Sequence, residues 1–155
     1  MNQLRRTFLK LTGAAGTLAL AVGTGLIKTG EALAATWNKA GFESKAVRDA
    51  LASLGATSPA ESKDITITAP DIAENGAVVP IAITSRIPNT QSISIIVEKN
   101  PFPLTSTFDV ANGGEGYVST RLKMGETSNV RAVVKASGKY YTAVKEVKIT
   151  IGGCG

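Results

Sequence analysis

From Asp64 to Ile151 the apolar residues recur at every second position, and turn-forming residues interrupt them about every 8–15 positions. Ile65 and Ile67 alternate with Thr66 and Thr68. Ile93, Ile95 and Val97 alternate with Ser92, Ser94 and Ile96. Val130, Ala132 and Val134 alternate with Arg131, Val133 and Lys135, so that only Val133 interrupts the polar face. A period of two places alternate side chains on opposite faces of a strand. Ala69-Pro70-Asp71, Glu74-Asn75-Gly76, Pro88-Asn89-Thr90, Asn100-Pro101-Phe102-Pro103, Ala111-Asn112-Gly113-Gly114 and Ser137-Gly138 punctuate the pattern. Ser137-Gly138 predicts a tight hairpin into Lys139–Ile151, where Tyr141, Ala143, Lys145, Val147 and Ile149 share one parity. Pro80, inside the run Val78–Ile83, points to an edge or a bulge because it cannot donate to a ladder. Seven or so strands with no helical segment between them predict an all-β, immunoglobulin-like antiparallel sandwich rather than a βαβ fold.

Before the strands, residues 39–54 predict one amphipathic helix. Phe42, Ala46, Ala50, Leu51 and Leu54 recur near helical spacing, and Gly55 stands where a left-handed C-cap is favourable.

The chain begins with an expected export signal. Arg5-Arg6-Thr7-Phe8-Leu9-Lys10 is a twin-arginine motif, followed by an uncharged stretch to Ile27 and by Ala32-Leu33-Ala34, a small-x-small cleavage site. Gly13, Gly16, Gly23 and Gly25 interrupt the stretch, which is shorter than the about 20 apolar residues of a spanning helix. The expected domains are a twin-arginine signal over 1–34, a helix-plus-sandwich domain over 35–151 and a carrier arm over 152–155. The expected location is the periplasm, with no stable membrane anchor after cleavage.

Charge then excludes one class of function. Removing the four basic groups and one acid of residues 1–34 from the 17 basic and 12 acidic residues leaves a net charge of +2. The charges are mixed in sign and form no basic block, so nucleic acid is not an expected partner. Arg121 and Lys123 are expected on the wet face of a strand.

Chemistry narrows further. Histidine is absent, which removes the usual general base and the commonest metal ligand. The single cysteine can make neither a thiolate metal cage nor a Cys-x-x-Cys redox pair. No metal and no cofactor are expected. Asn112-Gly113-Gly114-Glu115-Gly116 lies between strands and reads as a hairpin turn rather than a phosphate loop. The close acids Asp71 with Glu74 and Glu61 with Asp64 read as solvated loop carboxylates.

What remains is Gly152-Gly153-Cys154-Gly155. An odd cysteine in an exported chain means an intermolecular bond or a free reactive thiol. The glycines leave nothing to bury it, so the thiol is expected on a thin, mobile tether. Four extended residues span at most about 14 Å, and glycines have the cross-section of bare backbone, suited to a narrow channel. No cation or helix N-terminus in the last residues activates the thiol, so activation belongs to a partner. Cys154 is the expected point of covalent attachment, with Gly152, Gly153 and Gly155 as the arm. No residue of the chain is expected to be catalytic.

Three segments resemble the SoxY family, the sulfur-carrier subunits of thiosulfate oxidation. They are Ala69-Pro70-Asp71-Ile72-Ala73-Glu74-Asn75-Gly76-Ala77-Val78-Val79-Pro80, Val97-Glu98-Lys99-Asn100-Pro101 and Thr127-Ser128-Asn129-Val130-Arg131-Ala132, and the tail Ile151–Gly155 fits as well. The family tail commonly ends Gly-Gly-Cys-Gly-Gly, whereas this chain stops at Gly155. The resemblance implies that a c-type cytochrome joins thiosulfate to Cys154 as an S-thiosulfonate. A sulfate thiohydrolase then releases sulfate, and a sulfane dehydrogenase oxidises the remaining sulfur. It also implies a heterodimer with SoxZ that folds in the cytoplasm and is exported as a pair. Two other readings stand beside the carrier: a thiol oxidoreductase, disfavoured by the lone unactivated cysteine, and an exported scaffold or adhesion domain with an intermolecular disulfide.

Overall fold

The computed structural model describes residues 37–111 and 113–150. Its strands are β1 (Ala60–Glu61), β2 (Ile65–Thr68), β3 (Ile72–Ala73), β4 (Val79–Ser85), β5 (Thr90–Val97), β6 (Leu104–Asp109), β7 (Tyr117–Leu122), β8 (Ser128–Ala136) and β9 (Lys139–Ile149). One sheet has the order β1-β9-β8-β5-β6, with β3 also on β9; the other has the order β2-β4-β7. The two sheets form the expected immunoglobulin-like sandwich.

The period-two pattern produces the core directly. Ile65, Val79, Ile81, Ile83 and Leu122 from the smaller sheet meet Ile93, Ile95, Val97, Val130, Ala132, Val134 and Val147 from the larger one. Pro80 sits in the central strand of the smaller sheet and pairs with Arg121 of β7. On its other side β2 reaches only as far as Ala82, so at Pro80 the strand is locally an edge and no ladder donor is missed. Arg121 is exposed on β7, as expected, and Lys123 is exposed just past the end of that strand. The turn at Ser137-Gly138 has positive φ at both residues, 49° and 73°, the geometry of a two-residue hairpin that follows strand twist.

Three features differ from the expectation. The helix over 39–54 is two helices, α1 (Lys39–Phe42) and α2 (Val47–Ser53). Ala46, placed in the apolar stripe by its spacing, is extended at φ −123°, ψ 140° and exposed. The Ser44 hydroxyl donates to the Gly41 carbonyl at 2.7 Å where a continuing helix would have placed an amide. Asn38 holds the two helices together by donating from Nδ2 to the Ser53 carbonyl at 3.2 Å. Folded back in this way, Phe42, Val47, Ala50, Leu51 and Leu54 all pack on Ile96, Leu104 and Val133, on the outer face of the larger sheet. That explains Val133: its side of β8 is polar except where the helices cover it. Helix α2 ends as Gly55 predicts, with φ +76°, Ala56 N–H to the Leu51 carbonyl at 2.8 Å and Gly55 N–H to the Ala52 carbonyl at 2.9 Å, the Schellman arrangement.

Second, the sandwich is not wholly antiparallel. β1 and β3 both pair parallel to β9. Two short segments therefore cover parts of the free edge of the longest strand, at Tyr141–Thr142 and Lys148–Ile149, which limits unwanted pairing with another chain. Third, the loop through Gly113 and Gly114 is not a hairpin, because β6 pairs with β5 while β7 pairs with β4. It carries the chain from one sheet to the other, turning where Gly114 N–H donates to the Ala111 carbonyl at 2.8 Å.

Candidate functional site

Cys154, Gly152, Gly153 and Gly155 lie outside the described residues, as do Arg5 and Arg6. The described chain ends at Thr150, so the geometry of interest is the support from which residues 151–155 depart. Strand β9 reaches that point with its ladder to β8 intact from Lys139 to Val147. The last residues are then held from two sides. Ile149 N–H donates to Thr127 Oγ1 at 3.0 Å. Lys148 N–H donates to the Asp71 carbonyl at 3.0 Å and Thr150 N–H to the Ala73 carbonyl at 3.2 Å. The Thr150 hydroxyl donates to the Glu74 carbonyl at 3.3 Å.

The segment that supplies these acceptors is itself fixed. Lys145 has the inward parity of Ala143 and Val147, yet it is a cation, and a buried ammonium needs partners. It lies at the margin of the core, where Nζ donates to the Ala69 carbonyl at 2.7 Å and pairs with Asp71 Oδ1 at 2.9 Å. Asp71 pairs with Lys145 while its side chain stays largely exposed, and Glu74, Glu61 and Asp64 are exposed as well, all four as solvated carboxylates. The parity of Lys145 is legible in the sequence; its role is not. An inward-facing lysine in an otherwise apolar row is the signal that finds it.

Two further loops close the same end. Met124 N–H donates to the Gly76 carbonyl at 2.7 Å. Asn100 Nδ2 donates to the Lys123 carbonyl at 2.8 Å, tying the β5–β6 loop to the β7–β8 loop. Lys99 N–H donates to Ser128 Oγ at 3.0 Å. Glu98 accepts from Arg131 Nε at 3.0 Å, from Arg131 Nη2 at 2.7 Å and from Asn129 Nδ2 at 3.1 Å. The three segments singled out in the sequence therefore meet at the end of the sandwich from which the cysteine-bearing tail departs. Among the described residues no group of three or more Cys, Asp or Glu could hold a metal ion, and no helix is long and apolar enough to cross a membrane.

The family model for "Sulfur oxidation protein SoxY" matches residues 50–154, a span that takes in all three segments and ends on Cys154. The chain belongs to the SoxY family. Among solved structures it is similar to the sulfur carrier protein SoxY of Chlorobium limicola f thiosulfatophilum, at 45% identity and a TM-score of 0.61, over 66% of this chain and 94% of that one. A superoxide reductase (neelaredoxin) of Ignicoccus hospitalis is similar at 18% identity and a TM-score of 0.49, over 55% of this chain and 79% of that one. A PKD domain of a peptidase from a Thermoplasmatales archaeon follows at 18% identity and a TM-score of 0.40, over 59% and 96%. Those two likenesses carry no functional argument. Among curated proteins none matches. Both the loops around Thr150 and Cys154 fall within the residues that the family model matches.

Proposed function

We propose that this SoxY-family chain is a covalent carrier of sulfur-oxidation intermediates, with Cys154 as the point of attachment and residues 152–155 as the arm. The observation that carries the reading is the pairing of a firm root with a reactive tip. Thr150 is bound to the carbonyls of Ala73 and Glu74, and four residues later stands the only thiol of the chain, flanked by glycines. The similar Chlorobium protein is a sulfur carrier, which supports the same role here.

In this reading the chain is not itself an enzyme. Thiosulfate joins the Cys154 thiol with loss of one proton and two electrons, which pass to a c-type cytochrome, and an S-thiosulfonate results. Water then cleaves the bond to the terminal sulfonate, sulfate leaves and a persulfide stays on Cys154. A sulfane dehydrogenase, where present, oxidises that sulfur. The stable partner is a SoxZ-type subunit, and the pair crosses to the periplasm on the Arg5-Arg6 signal. In a reconstituted system, Cys154→Ser should abolish thiosulfate-dependent cytochrome reduction while the variant still binds its partner subunit. Full reduction by that variant would refute the carrier role. Replacing Arg5-Arg6 by two lysines should retain both subunits in the cytoplasm; a partner that still reaches the periplasm would refute joint export.

A further inference from the structure

The strands β5, β7 and β9 end, and β4, β6 and β8 begin, at the same end of the sandwich as Thr150. The loops there are 69–78, 98–103 and 123–127. Large apolar side chains are uncommon on loop tips, since exposing them forgoes the burial that would stabilise the fold. Yet Ile72 of β3 is 58% exposed, and Val78 and Phe102 on the loops are 51% and 49% exposed. None serves the core. Some of the charges around them are paired within the chain, Lys145 with Asp71, Arg131 with Glu98 and Lys99 with Glu126 at 3.9 Å, while Glu74, Lys123 and Lys148 are exposed at the same end. This end therefore offers a visitor exposed apolar side chains among charges of both signs.

Covalent geometry says who the visitor is. Cys154 follows Thr150 by four positions, so its Cα lies within about 14 Å of that of a residue fixed in the sheet, and the sulfur only a side chain's length beyond. Strand β9 alone is about 33 Å long at its ordinary rise per residue. An enzyme that closes its active site on Cys154 cannot do so from the far end of the sandwich. It must cover this end, and its channel mouth meets these loops.

We propose that Ile72, Val78 and Phe102 form the docking surface for the enzymes that react with Cys154, a shared apolar contact for the mouths of their active-site channels. The inference rests on the carrier reading above and adds to it the surface on which carriage depends. A few exposed apolar side chains spread over one end of the sandwich suit a carrier that must leave one enzyme for the next, because they favour contact without a long-lived complex.

The test uses the full chain with its partner subunit and two enzymes. One joins thiosulfate to the thiol with loss of two electrons, and the other hydrolyses the resulting S-thiosulfonate. The triple variant Ile72→Thr, Val78→Thr, Phe102→Gln is compared with Tyr117→Thr, which removes apolar surface of similar exposure (52%) at the opposite end. Iodoacetamide labelling of Cys154 and association with the partner subunit serve as controls for fold and thiol access. The expected result is a KM raised about tenfold or more for both enzymes, with kcat and iodoacetamide labelling unchanged and Tyr117→Thr like the wild type. Wild-type kinetics in the triple variant would overturn the proposal. So would an equal effect of Tyr117→Thr, or loss of the partner subunit, which would assign the patch to that interface instead. If neither enzyme modifies Cys154 in the wild-type chain, the carrier reading itself fails and this surface loses its purpose with it.

Discussion

Lys145 and Asp71 lock the root of the C-terminal segment: Nζ lies 2.9 Å from Oδ1, and the same ammonium donates to the Ala69 carbonyl at 2.7 Å. The pair joins the middle of β9 to the loop that, one residue later, becomes β3 and receives the end of β9. Lys145→Met keeps the aliphatic stem and removes both contacts. Asp71 is largely exposed, so the stability cost is modest, about 1 kcal/mol. The sharper consequence is local. Amide exchange at Lys148 and Thr150 should quicken, while exchange in β5 and β8 stays as in the wild type. Unchanged protection at those two amides would show that β3 holds without the lysine.

Thr127 serves the other side of the root, where its hydroxyl accepts from Ile149 N–H at 3.0 Å. Thr127→Val is nearly isosteric and leaves that donor without its acceptor. The expected loss is about 1–3 kcal/mol in chemical denaturation, larger than for Thr127→Ser, which keeps the oxygen. A loss in Thr127→Ser as large as or larger than that in Thr127→Val would contradict the dominance of the hydroxyl.

Gly41 marks where the helices close on the sheet. A Cβ there would collide with Ser53 Oγ and lie 2.8 Å from Asn38 Nδ2 and 2.9 Å from Leu104 Cδ2. Gly41→Ala, favourable in most helices, should here destabilise by about 1–3 kcal/mol through overpacking. A rise in melting temperature would contradict the packing of α1 on β6.

Ile96 is fully buried beneath the same helices. Ile96→Ala should cost about 2–5 kcal/mol. Because Ile96 lies in the cluster under the helices and away from Thr150, iodoacetamide labelling of Cys154 under native conditions should not change. Altered labelling would mean that the helix layer and the root are coupled.

The strands were readable because each inward row is nearly pure: Ile93, Ile95 and Val97 face one way and Val130, Ala132 and Val134 meet them. Pro80 was readable because its missing N–H restricts it to a place with one neighbour. The break between α1 and α2 was not, since Ala46 is a good helix former at the right spacing. What overrides it is tertiary: Asn38 and Ser53 bring the helices together, and Ser44 takes over a carbonyl. The inter-sheet crossing after β6 was hidden for a similar reason, because a glycine-rich turn looks the same whether the next strand returns or changes sheet. At the site, the role proposed for Cys154 follows from what the rest of the chain lacks. The support of its arm could not, since it depends on contacts between residues as far apart as Asp71 and Lys148.

The central claim is that Cys154 carries sulfur covalently, and the mass of the protein reports this directly. Protein isolated from the periplasm of cells grown on thiosulfate, kept unreduced, should show an S-thiosulfonate or persulfide on the peptide containing Cys154, absent from cells grown without thiosulfate. Cys154 found only as a free thiol, or only in a disulfide-linked dimer that reduction dissolves, would contradict the account.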